Sequence, residues 1–337
     1  MKHAVLALTL LAATTLAATT LAAQPAPPDA AKALASHDRS MDRAFEETER
    51  ETDDALWYFR LGDVANIDKF EIASSKPRRE KNPTDVNAGN PIIFPVYVFW
   101  PKNLKGKAPM LVFAHGGVHG RLTSNYAHIF REAMEQGYVI VSPEYRGSIG
   151  NGSDLYDQID YGGAEIDDTH DARNWAVENL SFVDRSRVGI FGWSHGGYHT
   201  LMNIFMWPDD YKVAYAGVPV SDLVARLGYT GQGYRDLFEE FIGKPLEDNV
   251  MEYRRRSPVF HVDKLKTPLL IHTTTNDEDV NVLEVEHLIA ALKAAGKQFE
   301  YKVYQNAPGG HRFNRIDTAL AKESRREMWA FLARYLK

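Results

Sequence analysis

Residues 187–198 read Arg187-Val188-Gly189-Ile190-Phe191-Gly192-Trp193-Ser194-His195-Gly196-Gly197-Tyr198, and this stretch decides the fold. Val188 to Phe191 has the length and β-branched content of a buried parallel strand, and the residues after Gly196 can wind as a helix. Ser194 therefore falls on a strand-to-helix turn, framed by Gly192 and Gly196 as G-x-S-x-G. That spacing lets a strained turn push a serine hydroxyl out over the sheet edge. Glycine is needed at both flanks because the helix packs back close to the strand and leaves no room for a Cβ. A Gly/Ser-rich βα turn without chemistry carries the same letters, so the surrounding segments must supply the distinction.

From Pro109 those segments alternate. Strands are predicted at Met110 to Ala114, Tyr138 to Val141, Val188 to Phe191, Val213 to Gly217, Leu269 to His272 and Phe299 to Val303. Helices are predicted near Asn125 to Gln136, Ala164 to Leu180 and Leu283 to Ala295, after the serine, and from Thr318. This alternation implies an α/β fold, a doubly wound, mostly parallel sheet with helices on both faces. Asp222 to His261, aromatic and charged, interrupts the pattern and is predicted to form a short helical excursion over the strand ends. Ahead of residues 109–337, residues 24–36 read as a flexible Pro- and Ala-rich leader and His37 to Arg60 as one or two surface helices. Lys69 to Ser75 and Pro91 to Trp100 read as an antiparallel hairpin at the edge of the main sheet. The stretch 24–108 is too short for a β-propeller of at least four blades of about 40 residues each.

A serine hydroxyl is a poor nucleophile unless a histidine takes its proton, and that histidine needs a carboxylate to hold its tautomer. In doubly wound hydrolases the chain order is Ser, Asp, His. His311 stands in the glycine-rich loop Pro308-Gly309-Gly310-His311-Arg312-Phe313, after the last predicted strand. His272 lies inside the preceding strand and reads as a packed residue. The carboxylate should emerge one strand earlier, from Asn276-Asp277-Glu278-Asp279-Val280; Asp277 is the first choice and Asp279 the reserve. An oxyanion hole needs preorganised N–H donors, and His115-Gly116-Gly117 directly follows the strand 110–114. The amides of Gly117 and His195 are the expected pair. The coincidence of HGG, elbow, acid loop and GGH in the right order is what a chance collection of turns does not explain.

On these residues the chain from about Pro109 to its end resembles the catalytic domain of the prolyl oligopeptidase family, within the α/β-hydrolase fold. The matching text is HGG at 115–117, Pro143-Glu144-Tyr145-Arg146-Gly147-Ser148, the elbow with its double glycine and tyrosine, Asp277 followed by Val280, and His311-Arg312-Phe313. The resemblance implies Ser194 as nucleophile, Asp277 as acid and His311 as base. Three departures bear on substrate. Peptide-cleaving members carry a propeller before this domain. In several of them a tyrosine near the position of His115 donates to the oxyanion. The aromatic cluster of their proline pocket is reduced here to Tyr229 and Tyr234, of which Tyr229 is the candidate substrate contact. The acid loop also differs, being one residue longer than the usual His-Gly form, with Thr273 in place of the glycine.

Composition bounds the rest. The 337 residues include no cysteine, which excludes a thiol nucleophile and a disulfide framework. A formal net charge of −6 argues against a nucleic-acid partner. The basic runs Lys76 to Lys81 and Arg254 to Arg256 read as solvated surfaces. Met1 to Ala23, with a basic start, an apolar middle and small residues before Gln24, reads as a signal peptide and implies a periplasmic or secreted protein. Its threonines interrupt the apolar run, so no membrane anchor is expected. Asp167-Asp168-Thr169-His170-Asp171 reads as helix capping and dipole complementation, Arg146 as structural, and no metal or organic cofactor is expected. The sequence thus predicts an exported serine hydrolase acting on carboxylic esters. Its alternatives are an aminopeptidase- or dipeptidyl-type peptidase and, behind that, a non-catalytic binding protein. The substrate is a small ester or short peptide in either enzymatic case.

Overall fold

The computed structural model describes residues 28–80 and 89–337, and the signal peptide read over 1–23 lies outside them. The chain divides into two compact units, Met1–Asp42 and Arg43–Lys337. Helix α1 (Pro28–Leu61) occupies the region read as a leader followed by surface helices. Proline suits a first helical turn, where its missing N–H costs nothing, and alanine favours helix, so the leader reading fails from Pro28 onward. The surface reading fails at the other end. Asp53 and Trp57, four residues apart, are buried, as is Leu61 just past that reading, and Trp57 packs on Phe99 and Phe130 at ring separations of 4.8 and 5.2 Å.

One sheet holds β1 (Ala65–Ala73), β2 (Ile93–Pro101), β3 (Ala108–Ala114), β4 (Val139–Pro143), β5 (Val183–Trp193), β6 (Val213–Gly217), β7 (Leu269–Thr274) and β8 (Glu300–Tyr304). Their order is β1-β2-β4-β3-β5-β6-β7-β8. β1, β2 and β4 pair antiparallel, and every later pairing is parallel. The predicted hairpin is thus the edge of the main sheet, joined to it through Val98 opposite Val141.

Helices α2 (Ala127–Glu135), α3 (Ser153–Tyr156), α4 (Ala164–Asn179) and α5 (His195–Met206) connect the strands up to β6. α6 (Leu223–Tyr229), α7 (Gln232–Ile242) and α8 (Leu246–Arg255) form the excursion, and α9 (Val282–Ala294) and α10 (Ala319–Leu336) complete the wrap. Every side chain of β3 is buried, as expected for a strand covered on both faces. Because side chains alternate along a strand, Met110 and Val112 enter the core with α4, α5 and α9, whereas Leu111 and Phe113 enter the one with α1, α2 and α10. Each such fully buried side chain contributes about 1.5–3 kcal/mol. No helix among the described residues is long and apolar enough to cross a membrane.

Two polar readings need correction. Helix α4 begins at Ala164, so Asp167 sits in its first turn, where its charge complements the helix dipole, whereas Asp168 to Asp171 lie further inside and cap nothing. They make long-range contacts instead: Asp168 with Arg146 at 2.7 Å, His170 with Asp210 at 2.7 Å and Asp171 with the Ser75 amide at 2.7 Å. Arg146 is accordingly structural, tying α4 to the end of β1 through Ser74. Arg256, read as a solvated charge, is buried and pairs with Asp160 at 2.6 Å and Glu252 at 2.7 Å. A run of arginines does not reveal which one turns inward.

Candidate active site

The turn between β5 and α5 places Ser194 at φ 60°, ψ −123°, a region that non-glycine residues rarely occupy and that costs on the order of 1–3 kcal/mol. Its neighbours explain how the strain is held. A Cβ at Gly192 would overlap the carbonyl oxygen of Gly196, and one at Gly196 would overlap that of Ala114 at the end of β3. The second contact is with the adjacent strand, a detail beyond the sequence reading. Ser194 N–H donates to the Gly217 carbonyl at 2.9 Å, and Tyr198 N–H to the Ser194 carbonyl at 3.0 Å. The serine backbone is therefore fixed from both sides while its side chain stands at the carboxyl edge of the sheet.

Asp277 leaves the end of β7 and meets His311, which sits in a single turn after β8. His311 Nδ1 is 2.9 Å from each carboxylate oxygen of Asp277. The same carboxylate accepts the amides of Asp279 at 2.9 Å and Val280 at 2.8 Å, and its side chain is wholly buried. A carboxylate on Nδ1 accepts the N–H of that nitrogen, which leaves the Nε2 lone pair free to accept a proton. The two loops are laced together. Asn276 donates to the Ala307 carbonyl at 3.1 Å, and Ala307 N–H donates to Thr274 Oγ1 at 3.1 Å. Glu278 accepts the His311 amide at 2.9 Å, and that hydrogen bond is the first cause of its lowered pKa. Arg315 donates to the His311 carbonyl.

The HGG loop closes against the serine. A Cβ at Gly116 would stand 3.2 Å from the Trp193 carbonyl oxygen, 3.6 Å from Ser194 Cβ and 3.9 Å from Arg315 Nη1, so glycine permits this approach on the wall shared with His311. Gly117 takes φ 81°, which favours glycine. The His115 imidazole is buried and turned inward, with Nε2 2.9 Å from Ser148 Oγ. It is thus not available to replace the tyrosine that donates to the oxyanion in several peptidases of the family. Tyr145, whose hydroxyl burial keeps protonated well above its ordinary pKa, donates to the His115 carbonyl at 2.9 Å and so holds this loop.

Tyr229 and Tyr234 do not simply line a pocket. Arg226 donates to the Tyr229 hydroxyl at 3.0 Å and to the Tyr234 hydroxyl at 2.8 Å. Tyr229 in turn donates to the buried Glu284 at 2.5 Å, whose carboxyl burial pushes upward. Arg226 also donates to Asp279 at 2.6 Å, which takes the reserve carboxylate away from His311 Nδ1; its other oxygen remains 3.8 Å from Nε2. His272 is buried and bonds Ser324 Oγ at 2.9 Å, as expected of a packed residue. Arg226, Glu278, Glu284 and Tyr145 were not identified from sequence. Glu278 stood in plain view between two aspartates, whereas nothing local links Arg226 to Glu284. Among the described residues, one group of donors converges closely enough to hold a cation: Glu165, His195 and His199.

A strained serine at a strand-helix elbow and an Asp-His pair past the ends of β7 and β8 define a serine hydrolase of the α/β-hydrolase fold. Residues 124–337 match the family model of the prolyl oligopeptidase family, and the chain belongs to that family. It is 30% identical over 223 residues to dipeptidyl aminopeptidase BIII of Pseudoxanthomonas mexicana, covering 63% of this chain and 32% of that one. It is 29% identical over 230 residues to the acylamino-acid-releasing enzyme of Arabidopsis thaliana, covering 65% and 30%. The chain thus spans about a third of the length of these relatives. Among solved structures, uncomplexed acylaminoacyl peptidase of Pyrococcus horikoshii superposes with a TM-score of 0.69 at 23% identity, over 81% of this chain and 42% of the other, a likeness of fold.

Proposed function

We propose that this chain is a serine peptidase working through an acyl-enzyme, with Ser194 as nucleophile, His311 as general base and then acid, and Asp277 as its orienting carboxylate. The single observation that carries the chemistry is His311 Nδ1 held between both oxygens of Asp277. Ser194 Oγ attacks the scissile carbonyl as Nε2 takes its proton. The amides of Gly117 and His195 receive the oxyanion, and the imidazolium returns the proton to the leaving amine before water repeats the cycle.

Two considerations favour amides over the esters expected from sequence. The relatives are named as dipeptidyl and acylamino-acid-releasing enzymes. His311, held through Nδ1 by Asp277, can hand the proton it takes from Ser194 to a leaving group, and an amine must be protonated to leave. The proposed substrates are short peptides cleaved near their amino ends, free or acylated. Export through residues 1–23 is part of the same proposal. The test is a matched panel of aminoacyl, dipeptidyl and acyl-aminoacyl p-nitroanilides against p-nitrophenyl esters. Amino-terminal sequencing of the protein recovered outside the cytoplasm tests export, and an intact Met1 there would remove that part.

A further inference from the structure

We propose that Glu165, His195 and His199 form a binding site for one divalent transition-metal ion of the zinc type, clasped between α4 and α5 beneath the nucleophile turn. His195 and His199 are four residues apart on α5, a spacing that turns two imidazoles to one face of a helix. Glu165 reaches them from the first turn of α4. Its Oε1 is 3.2 Å from His195 Nε2 and 3.7 Å from His199 Nε2, and the two Nε2 atoms are 3.3 Å apart. A tetrahedral ion with bonds of about 2.0–2.1 Å separates its ligand atoms by about 3.3–3.4 Å. The three atoms thus outline one face of such a tetrahedron.

The surroundings also point to a missing charge. All three residues are buried. Glu165 Oε1 accepts the Gly162 amide at 2.8 Å, while Glu165 Oε2 and His195 Nδ1 have no hydrogen-bond partner. Among the described residues no lysine or arginine pairs with this carboxylate, and an uncompensated buried carboxylate is costly. A proton satisfies only one edge of the triangle, and a second on the other imidazole crowds the first; a cation at the centre satisfies three lone pairs together. His199 Nδ1 lies 2.8 Å from Thr169 Oγ1, the outer contact that orients a ligating imidazole and leaves Nε2 for the ion. Two nitrogens and one oxygen are a donor set for zinc or its first-row neighbours rather than for magnesium or calcium.

The ion would fasten the helix whose first residue supplies a proposed oxyanion amide, without touching substrate. The expectation of no metal was drawn without this cluster, because His195 was read only for its place in the elbow and Glu165 lies in another segment.

The full chain, stripped with a chelator and dialysed, is titrated with zinc and separately with cobalt(II). The expected result is one ion retained per chain after gel filtration, a thermal midpoint raised by several degrees, and the intense visible bands of four-coordinate cobalt. Glu165→Gln and His199→Leu should each lose all three, whereas Ser194→Ala should keep them. Wild type retaining below about a tenth of an ion per chain, or lacking the cobalt bands, overturns the site whether or not the variants fold. Equal retention by wild type and folded His199→Leu overturns it as well.

Discussion

Arg226 on α6 donates to Asp279 across 2.6 Å, and that contact decides which carboxylate of the acid loop serves His311. Asp279 is drawn toward the helical excursion, while Asp277 turns under the histidine and is fixed there by two backbone amides. The excursion therefore does more than cover the site. It sorts two aspartates only two residues apart into different roles.

The sorting predicts a ranking. Asp277→Asn keeps the shape but presents an amide to Nδ1, so kcat should fall roughly 10³- to 10⁴-fold through a misoriented or wrong-tautomer imidazole. Asp279→Asn should cost far less, since its partner is a guanidinium. Steady-state kinetics of both variants decide it, and the reverse order would assign the role to Asp279.

Ser194→Ala should lower kcat roughly 10⁴-fold or more and abolish labelling by a fluorophosphonate probe, leaving the fold intact. Ser194→Gly adds a structural reading. Because φ 60° with ψ −123° strains any residue with a Cβ, the glycine variant should melt above the alanine variant, by about 1 kcal/mol in stability. Labelling of Ser194→Ala would end the nucleophile assignment, and identical melting would show the turn to be unstrained.

Burial pushes His272 down to about 4 from its usual 6.5, despite Glu327 3.6 Å away. The folded protein therefore keeps this imidazole neutral, while the unfolded chain takes up a proton as pH drops through 6.5. Stability from this group is full above about pH 6.5 and is lost progressively toward pH 4, by about 2 kcal/mol at pH 5. Urea midpoints at pH 7 and pH 5 should show a flatter dependence for His272→Gln than for wild type. Parallel slopes would mean that the ring is already charged in the fold.

The elbow, the parallel strands and the pairing of Asp277 with His311 were legible because each is written in a short local pattern: a strand period, a glycine frame, an acid or histidine just past a strand end. What escaped was written across the chain. Trp57 looked like a surface residue because its burial depends on Phe99 and Phe130. Arg256 and Arg226 are single turned-in members of charged segments, and their partners Asp160 and Glu284 lie in other segments. Tyr145 stood inside a quoted motif, yet its task of holding the HGG loop follows only from the packing of β4 beside β3.

Substrate class is the remaining prediction, and here sequence and comparison pulled apart. From the sequence, a thinned aromatic pocket and an ester's easier leaving group argued for ester hydrolysis. Tyr229 and Tyr234 prove to be engaged with Arg226, so their number says little about the shape of an acyl pocket. Family membership and the names of the relatives favour the proposed expulsion of an amine. Raw rates would mislead, since esters hydrolyse faster without any catalyst. The measurement is kcat/KM for aminoacyl, dipeptidyl and acyl-aminoacyl p-nitroanilides and for a short-chain p-nitrophenyl ester, each divided by its own uncatalysed rate. The amides are expected to show the larger enhancement. A larger enhancement for the ester would restore the reading drawn from the sequence.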